Sequence, residues 1–440
     1  MGKDVLGLAI LGVCVVLFLT KRLPVSVTGC LGCLLMVLGR VCTFEQAFSG
    51  FSNSIVLLMA SVMIVGIAMF STGAAQIIGR TAISLSHGDE KRFLMASCVL
   101  SGLLSMFLAN TALVAVFIPI IDSVCRSEGA SGGTLPRIKK EPNMKRKNLL
   151  LPITCSIMLG GSATLVGCTP QLTANAILSR MSGVEMTMWT LTGPGLCLLA
   201  VFLVYLHFMG YRLGMGIWGT REERQMTQDE AKIASVMRKD FDRRKLAVMS
   251  AILAFMLASY VFKLLPVAET ALASALLCLI TGCCGMADIR REMHWETVIL
   301  LASCLGLAET LTVSGAGDLI GRGVSASLGE VRSPWAVFAV IVALTLILSQ
   351  FITNSTAIII ALPIGLSLCG VYGFNPLPFC VGVTLAASIA CCTPLAAAQI
   401  TMTQVAGYEF SDYFKYCGLP SLILYLCIIA LVPVFYPLAG

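Results

Sequence analysis

The chain has 440 residues, of which 57% are hydrophobic and 12% charged, and its formal net charge is +7. Soluble domains carry about 25% charged residues, and apolar segments of about 20 residues, the length that crosses a bilayer, recur from end to end. This composition predicts a polytopic integral membrane protein rather than a soluble or nucleic-acid-binding one. The excess of positive charge is therefore informative about membrane topology.

The predicted elements form a series that occurs twice along the chain. Two plain spans are followed by a third span and by a glycine-punctuated amphipathic segment that suits the membrane interface. A segment broken at an Asn motif comes next, then a long span broken at Thr-Pro, and then a last plain span. The spans lie at 5–20, 23–39, 54–71, 93–125, 149–178 and 189–211, and again at 246–262, 267–285, 296–313, 334–372, 376–405 and 416–436.

Three matches between the two series indicate a duplicated unit. Residues 55–80 align with residues 297–322 without a gap. The motif around Asn110 recurs around Asn354, each Asn following a Phe by three residues and preceding a Pro by nine. A Cys-Thr-Pro sequence occurs at Cys168 and again at Cys392. Because the three matches keep the same order, they predict an internal repeat.

The arms of each segment broken at the Asn motif have about 15 residues, which is short for a crossing at about 1.5 Å per residue. We therefore expect re-entrant hairpins, and each repeat then has five net crossings, so the second repeat is inverted. The predicted fold is an all-α polytopic membrane protein with two inverted repeats of five spans, each with a re-entrant hairpin and a broken helix. Residues 1–211 form the first repeat, 212–245 a basic linker and 246–440 the second.

The distribution of Lys and Arg agrees with this topology. With both termini outside, 24 of the 30 Lys and Arg residues fall on the inner side, as the positive-inside rule requires. The basic segments 126–147 and 212–245 are then cytoplasmic. Hairpin 93–125 enters from the cytoplasm and hairpin 334–372 from outside. The expected location is the plasma (inner) membrane.

Broken helices at membrane depth must line a cavity or be buried in protein, and their pairing in inverted repeats points to a transporter binding site near the midplane. A helix N-terminus favours an anion, and freed carbonyl groups favour a small cation. Asn110, Thr111, Asn354 and Ser355 add neutral amides and hydroxyls, and the motifs hold no Lys or Arg. The pattern predicts an anion held by dipoles with a cation beside it.

With these motifs the chain resembles the divalent anion:sodium symporter family, which carries paired Ser-Asn-Thr hairpin tips, each followed by a Thr-Pro break. Segments 45–73, 160–178 and 407–424 also look like that family. The resemblance implies a homodimer with a scaffold domain and a transport domain that moves like an elevator. It implies import of dicarboxylates, citrate or sulfate with sodium, or anion exchange in some members. No cofactor is implied apart from sodium as the coupling ion.

The resemblance also implies roles for individual residues. The first sodium site would use Ser105, Asn110 and the Cys168 carbonyl, and the second would use Ser349, Thr353, Asn354 and the Cys392 carbonyl. The substrate would meet Asn110, Thr111, Thr169, Pro170, Asn354, Ser355, Thr393 and Pro394. The chain departs from the family pattern in three ways. Ala109 lacks the hydroxyl of the family's serine, and Gln171 stands where a second Pro is frequent. The second motif reads Thr353-Asn354-Ser355, which keeps the hydroxyls but alters their size.

The expected function is sodium-coupled import of a divalent anion, with a C4-type dicarboxylate as the first candidate. A symporter of sulfate or another inorganic anion, a cation-independent dicarboxylate exchanger and a channel remain alternatives. The G-x-G-D sequence at 315–318 suggests an intramembrane protease, but its partner Asp is missing, so no enzyme is expected. Glu309 is the only carboxylate well inside a predicted span. Because it lies near the span's outer end, we expect a structural role rather than proton coupling.

Overall fold

A computed structural model of the chain describes residues 2–20, 22–72, 89–125, 145–218, 243–262, 264–293, 295–315, 333–394 and 397–439. Within these ranges the regular structure is helical, apart from an isolated β-bridge between Phe374 and Ala439. The two predicted amphipathic segments lie almost wholly outside the described residues, as does Asp318 of the G-x-G-D sequence.

The helices follow the predicted series in both halves of the chain. The first half contains α1 Lys3–Thr20, α2 Val25–Leu38, α3 Phe44–Ala47, α4 Ser54–Ser71, α5 Glu90–Ser105, α6 Asn110–Cys125, α7 Arg146–Gly161, α8 Thr169–Ser182, α9 Thr192–Tyr205 and α10 Tyr211–Trp218. The second half contains α11 Arg243–Phe262, α12 Val267–Ile280, α13 Met286–Glu292, α14 Trp295–Ser314, α15 Pro334–Ser349, α16 Asn354–Tyr372, α17 Pro376–Ser388, α18 Ala398–Met402 and α19 Phe410–Phe435.

The predicted border between the first repeat and the linker, at residue 211, falls inside a helix. A single π-helical turn, Leu206–Gly210, joins α9 to α10, so the helix continues to Trp218. Trp218 is fully buried, and its ring packs against Tyr408 and Tyr416. The beginning of the basic segment is therefore part of the packed structure, and α11 begins at Arg243, before the border predicted at 245.

Local chemistry explains where the predicted breaks fall. α8 begins at Thr169 because Cys168 is extended (φ −144°, ψ 155°), and Pro170 in the first turn removes an N–H that has no partner there. α16 begins at Asn354, and the Thr353 side chain caps it by accepting from the Thr356 N–H. Each Asn of the two motifs is thus the first residue of a new helix, and each Thr-Pro pair follows an interruption.

The described helices pack as two groups. The first group consists of α1–α4 and α11–α14, where α2 packs against α14 and α4 against α12. The second group consists of α5–α10 and α15–α19, where α5 and α6 pack on α7, and α15 and α16 pack on α17. Helix α8 makes the main connection between the groups, because it belongs to the second and also packs against α14 and α4.

The second helix of each predicted hairpin packs against a helix from the other half of the chain. Helix α6, which begins at Asn110, contacts α18, which follows the second Thr-Pro sequence. Helix α16, which begins at Asn354, packs along α8, which follows the first. This reciprocal packing brings each hairpin into contact with the helix that follows the opposite break.

Four described helices are long and apolar enough to cross a bilayer: Thr192–Trp218, Arg243–Phe262, Asn354–Tyr372 and Phe410–Phe435. Large apolar side chains on the helices are exposed, including Phe262 at 73%, Ile280 at 79% and Val434 at 77%. Exposed apolar surface of this kind is stable in contact with lipid rather than water. The lengths, composition and exposed surface of the helices are those of an integral membrane protein.

Candidate functional site

The first hairpin tip is joined directly to the first break. Ser105, the last residue of α5, places its Oγ 2.7 Å from the Asn110 Oδ1 and close to the Ile157 carbonyl oxygen on α7. The Asn110 Nδ2 donates to the Cys168 Sγ. All three residues predicted for the first sodium site, Ser105, Asn110 and Cys168, therefore lie together. Ser105 is fully buried and Asn110 is 4% exposed, so this cluster is shielded from bulk water.

Three neutral oxygens meet in this cluster. The Ser105 hydroxyl has one proton and two oxygen neighbours, the Asn110 Oδ1 and the Ile157 carbonyl. The Ile157 carbonyl also accepts the N–H of Gly161 within α7, so the Ser105 proton is available to the Asn110 Oδ1. The neutral oxygens that meet here could coordinate a small cation, whereas they would repel an anion. The first cluster fits a cation, and its neutral donors fit one of low charge.

Two adjacent glycines allow the hairpin and α7 to come together. A Cβ at Gly161 would lie 2.4 Å from the Asn110 Oδ1 and 2.8 Å from the Cys168 Sγ. A Cβ at Gly160 would lie 1.9 Å from the carbonyl oxygen of Gly102 on α5. Gly161 thus gives the Asn110 side chain its space, while Gly160 allows contact between two helix backbones.

The second hairpin tip is joined to the second break through a different residue, Gln350. Its Oε1 accepts a hydrogen bond from the Cys392 backbone N–H at 3.0 Å, and its carbonyl oxygen accepts from the Thr393 hydroxyl. Its Nε2 donates to the Leu346 carbonyl at 3.1 Å, which fixes the side chain on its own helix. Gln350 is therefore the main polar contact between the α15–α16 tip and the Cys392-Thr393-Pro394 sequence.

The residues predicted for the second sodium site are less closely joined. The Ser349 Oγ donates to Leu346 in its own helix, and the Thr353 hydroxyl lies 2.7 Å from the Thr356 hydroxyl while it caps α16. The buried Oδ1 of Asn354 has no hydrogen-bond partner among the described residues. Among the described residues, the hydrogen bond that joins Cys392 to the tip is the one to Gln350. Among the described residues predicted for the second sodium site, Asn354 thus offers a buried oxygen without a donor.

The predicted substrate residues lie at the helix starts and breaks. Thr111 and Thr169 are half-buried in the first turns of α6 and α8, and Ser355 is 7% exposed in α16. Pro170 and Pro394 are buried, and the Pro394 carbonyl accepts from Thr401 at 2.7 Å. The described residues show no hydrogen bond between Asn110 and Asn354, and a shared cavity between them stays a prediction. The packing of α6 on α18 and of α16 on α8 is consistent with it.

Ala109 and Gln171, two of the departures from the family pattern, have different surroundings. The Ala109 methyl group faces α4, where a Cβ at Gly66 would lie 3.4 Å from it. This is a contact between the two groups of helices, made by two small residues. Gln171, in contrast, is fully buried and donates from Nε2 to the Gly161 carbonyl at 3.1 Å. It therefore belongs to the first cluster.

A second polar cluster was not predicted from the sequence. The Glu90 carboxylate is 7% exposed and accepts from the Asn148 Nδ2 at 2.9 Å and from the Tyr211 hydroxyl at 3.3 Å. The Asn148 Oδ1 accepts from the Trp218 indole at 2.8 Å. The cluster joins the beginnings of α5 and α7 to α10. In the sequence this cluster is marked by an Asn within a basic stretch, just before an apolar span. A solvated loop would show the same pattern, so the cluster could not be predicted.

Glu309 pairs with Arg180 across the two groups of helices. The Arg180 Nη1 lies 3.1 Å from the Glu309 Oε2, and the side chains are 29% and 26% exposed. The Arg180 Nη2 also reaches the Ser49 hydroxyl at 3.5 Å. A carboxylate that is held in an ion pair is a poor carrier of transported protons. This contact favours the structural role that the position of Glu309 indicates.

We expect Glu309→Gln to leave uptake within about threefold of the wild type, because a partly exposed ion pair contributes only about 0–1 kcal/mol. Uptake by reconstituted protein between pH 6 and pH 8 (about one unit on either side of neutrality) is the measurement. The control is Glu296→Gln, which changes a carboxylate of the same helix that accepts from the Val25 N–H. If the part of uptake that a pH gradient drives is lost in Glu309→Gln but not in Glu296→Gln, the Glu309 carboxylate carries protons.

Comparison with known proteins places the chain among membrane transporters. The model of the citrate transporter family matches residues 15–351 and 328–438. An uncharacterized transporter of Synechocystis sp. is 31% identical over 202 residues, 46% of this chain, and one of Escherichia coli is 27% identical over 212 residues, 48% of this chain. The matches cover only 31% and 32% of those two relatives, about a third of their length.

A third relative matches over most of the chain. The sodium-dependent dicarboxylate transporter SdcS of Staphylococcus saprophyticus is 24% identical over 400 residues, which cover 86% of this chain and 75% of the relative. The matching family and this relative are both transporters and not enzymes. The family resemblance inferred from the hairpin motifs is therefore confirmed.

Two solved structures have a similar fold. The YdaH transporter of Alcanivorax borkumensis superposes with a TM-score of 0.61 at 13% identity, over 90% of this chain and 88% of its own. MtrF of Neisseria gonorrhoeae superposes with a TM-score of 0.60 at 13% identity, over 92% and 85%. At this identity the similarity concerns the fold alone. From its motifs, its helices and the family model, which spans nearly the whole chain, we conclude that this protein is an integral membrane transporter of the citrate transporter family.

Proposed function

We propose that the chain is a secondary active transporter that imports a divalent anion together with sodium, with a C4-type dicarboxylate as the first substrate to test. The observation that carries the proposal is the pair of hairpin–break junctions. Asn110 is joined to Cys168 in the first half, and Gln350 is joined to Cys392 and Thr393 in the second. The relative SdcS is a sodium-dependent dicarboxylate transporter, which supports the same substrate class and coupling ion.

The anion would be held by helix N-termini and neutral side chains. Helices α6, α8 and α16 each begin at a predicted substrate residue: Asn110, Thr169 and Asn354. The first-turn N–H groups and the positive end of the helix dipole favour an anion at each start. Thr111 and Ser355 add hydroxyl donors one residue further along. Partial charges of this kind stabilise a carboxylate or sulfate without a buried Arg or Lys.

Sodium would neutralise the anion and occupy the sites that are rich in oxygen. Ser105, Asn110 and the Cys168 carbonyl would hold one ion, and Ser349, Thr353, Asn354 and the Cys392 carbonyl would hold the other. The unpartnered Oδ1 of Asn354 and the crowded Ser105 oxygen support cation binding at both places. Because the second set is less closely joined, we infer that its ligands converge only when the ion binds.

The proposed movement is an elevator in which the helices of the second group slide against those of the first. The small contact between Ala109 and Gly66 and the partly exposed pair of Arg180 and Glu309 lie between the groups, and both suit a surface that must separate. We further propose two inverted repeats, a homodimer, both termini outside and the basic segments in the cytoplasm. The reciprocal packing of α6 on α18 and of α16 on α8 supports the repeats.

The test is uptake by purified protein in liposomes. We expect an inward sodium gradient to drive accumulation of radiolabelled succinate, with citrate and sulfate as competing substrates. Replacement of sodium by choline removes the neutralising ion, so accumulation should stop, and a proton gradient should not restore it. If external anion releases preloaded anion from the liposomes when choline replaces sodium, the protein is an exchanger instead. Downhill flux that cannot accumulate substrate would identify a channel.

A further inference from the structure

Gln171 carries a buried oxygen without a hydrogen-bond donor. The side chain is fully buried in the first turn of α8, and its Oε1 has no partner among the described residues. The Nε2 donates to the Gly161 carbonyl at 3.1 Å. This bond fixes the orientation of the amide, because the opposite orientation would place two oxygens against each other. Leaving such an acceptor unsatisfied costs about 1–3 kcal/mol, so a bound species that supplies positive charge or a proton is expected beside it.

The Gln171 amide belongs to the same cluster as the first hairpin tip. Its Gly161 partner is the residue against which the Asn110 side chain packs, and Gln171 follows Cys168 by three residues at the start of α8. In this cluster the Ser105 hydroxyl already has two oxygen neighbours for one proton. The Gln171 oxygen therefore adds to this cluster of neutral oxygens a lone-pair donor that has no hydrogen-bond partner among the described residues.

A cation is the occupant that this chemistry favours. A carboxylate or sulfate oxygen would repel the Gln171 oxygen, and a substrate could approach it only through a hydroxyl group. Resting on the proposed function, we infer that the Gln171 Oε1 is a ligand of the sodium ion held at the first break. Ala109 offers no oxygen there, because its side chain is a methyl group that faces Gly66. The additional ligand belongs to the first half alone, since Leu395 stands at the equivalent position of the second.

The experiment measures sodium binding without transport. Purified protein in detergent is heated at increasing NaCl, with choline chloride keeping the ionic strength constant and no anionic substrate present. We expect Gln171→Met, which keeps the volume of the side chain and removes the oxygen, to raise the sodium concentration for half-maximal stabilisation about tenfold. Gln404→Met, at an exposed glutamine, should titrate like the wild type. Gln171→Glu keeps an oxygen and adds charge, so it should lower that concentration.

Several results would overturn the inference. A Gln171→Met protein that titrates like the wild type excludes Gln171 as a ligand. If that variant also loses affinity for malate and citrate but not for succinate, the Gln171 oxygen binds the hydroxyl group of the substrate instead of sodium. If Gln171→Met does not fold, Gln171→Glu decides, because a titration that does not tighten also excludes the ligand. A wild-type protein that sodium does not stabilise would instead overturn the sodium-coupled function itself.

Discussion

Gly161→Ala is expected to reduce sodium-driven uptake by about 10- to 100-fold in a protein that still folds. The added Cβ would lie 2.4 Å from the Asn110 Oδ1 and 2.7 Å from its Nδ2. These atoms end a flexible side chain, so Asn110 can turn away without any displacement of the backbone. In doing so it leaves the Ser105 hydroxyl and the Cys168 thiol, and each polar interaction lost in a buried site costs about 1–3 kcal/mol.

The adjacent Gly160→Ala variant should instead fail to fold. Its Cβ would lie 1.9 Å from the Gly102 carbonyl oxygen, which is backbone and can move only with helix α5. We therefore expect a loss of the folded protein, because overpacking that displaces a backbone commonly costs about 1–3 kcal/mol or more. The two glycines separate a functional requirement from a structural one at neighbouring positions.

The measurements are size-exclusion profiles, thermal stability and uptake in liposomes. Gly370→Ala is the control, because a Cβ at this helical glycine meets nothing within 4 Å and should leave uptake and folding unchanged. If Gly161→Ala folds and transports normally, the Asn110 geometry seen here is not required for transport. If Gly160→Ala is as stable as the wild type, the contact between α5 and α7 is looser than the structure shows.

Gln350→Met is expected to weaken both anion and sodium binding by about tenfold. The methionine has nearly the same length but cannot accept a hydrogen bond from the Cys392 N–H, which leaves a half-buried donor unpaired at a cost of about 1–3 kcal/mol. The Thr393 hydroxyl still bonds the backbone carbonyl of residue 350. The second break should therefore remain in place but lose its precise orientation, so affinity should fall more than protein yield.

The comparison uses titrations of uptake with anion and with sodium. Gln404→Met, at an exposed glutamine in the same half of the chain, is the control for the chemistry of the substitution. Gln350→Glu retains an acceptor for the Cys392 N–H, so it should lose less sodium affinity than Gln350→Met, although its charge should weaken anion binding. Equal sodium titrations for the wild type and Gln350→Met would show that this contact does not shape the site.

Much of the helical framework could be predicted from the sequence because its signals are local. Apolar length predicted the spans, and the start of α8 at Thr169 agrees with Pro170, because proline suits the first turn of a helix, where its missing N–H has no partner. The polar contacts were harder to predict because they depend on packing. Gln350 and Met106 occupy equivalent positions of the repeated motif, yet among the described residues only Gln350 bonds the break of its own half with its side chain. Nothing local distinguishes it from an exposed glutamine such as Gln404.

The same limit applies to residues whose surroundings come from the other half of the chain or from distant helices. The Glu309 carboxylate was recognisable as unusual, but its partner Arg180 lies on α8, far away in the sequence. Trp218 fell in a basic stretch that looked like a linker, and its burial depends on Tyr408 and Tyr416. The Gly161 requirement arises from an amide across the helix interface. The periodicity of apolar residues predicts which face of a helix is buried, but it does not predict which residues of other helices pack against that face.

The reciprocal packing of the hairpins also has a consequence for biosynthesis. Helix α6 begins at Asn110, and its partner α18 begins at Ala398, so the ribosome must add almost 290 residues before the contact can form. At about 5–20 residues per second this takes roughly 15 to 60 s. During that interval the polar tip of the first hairpin has no partner from the second half. Insertion must therefore proceed through a half-assembled stage, and contacts this distant in sequence are slow to form.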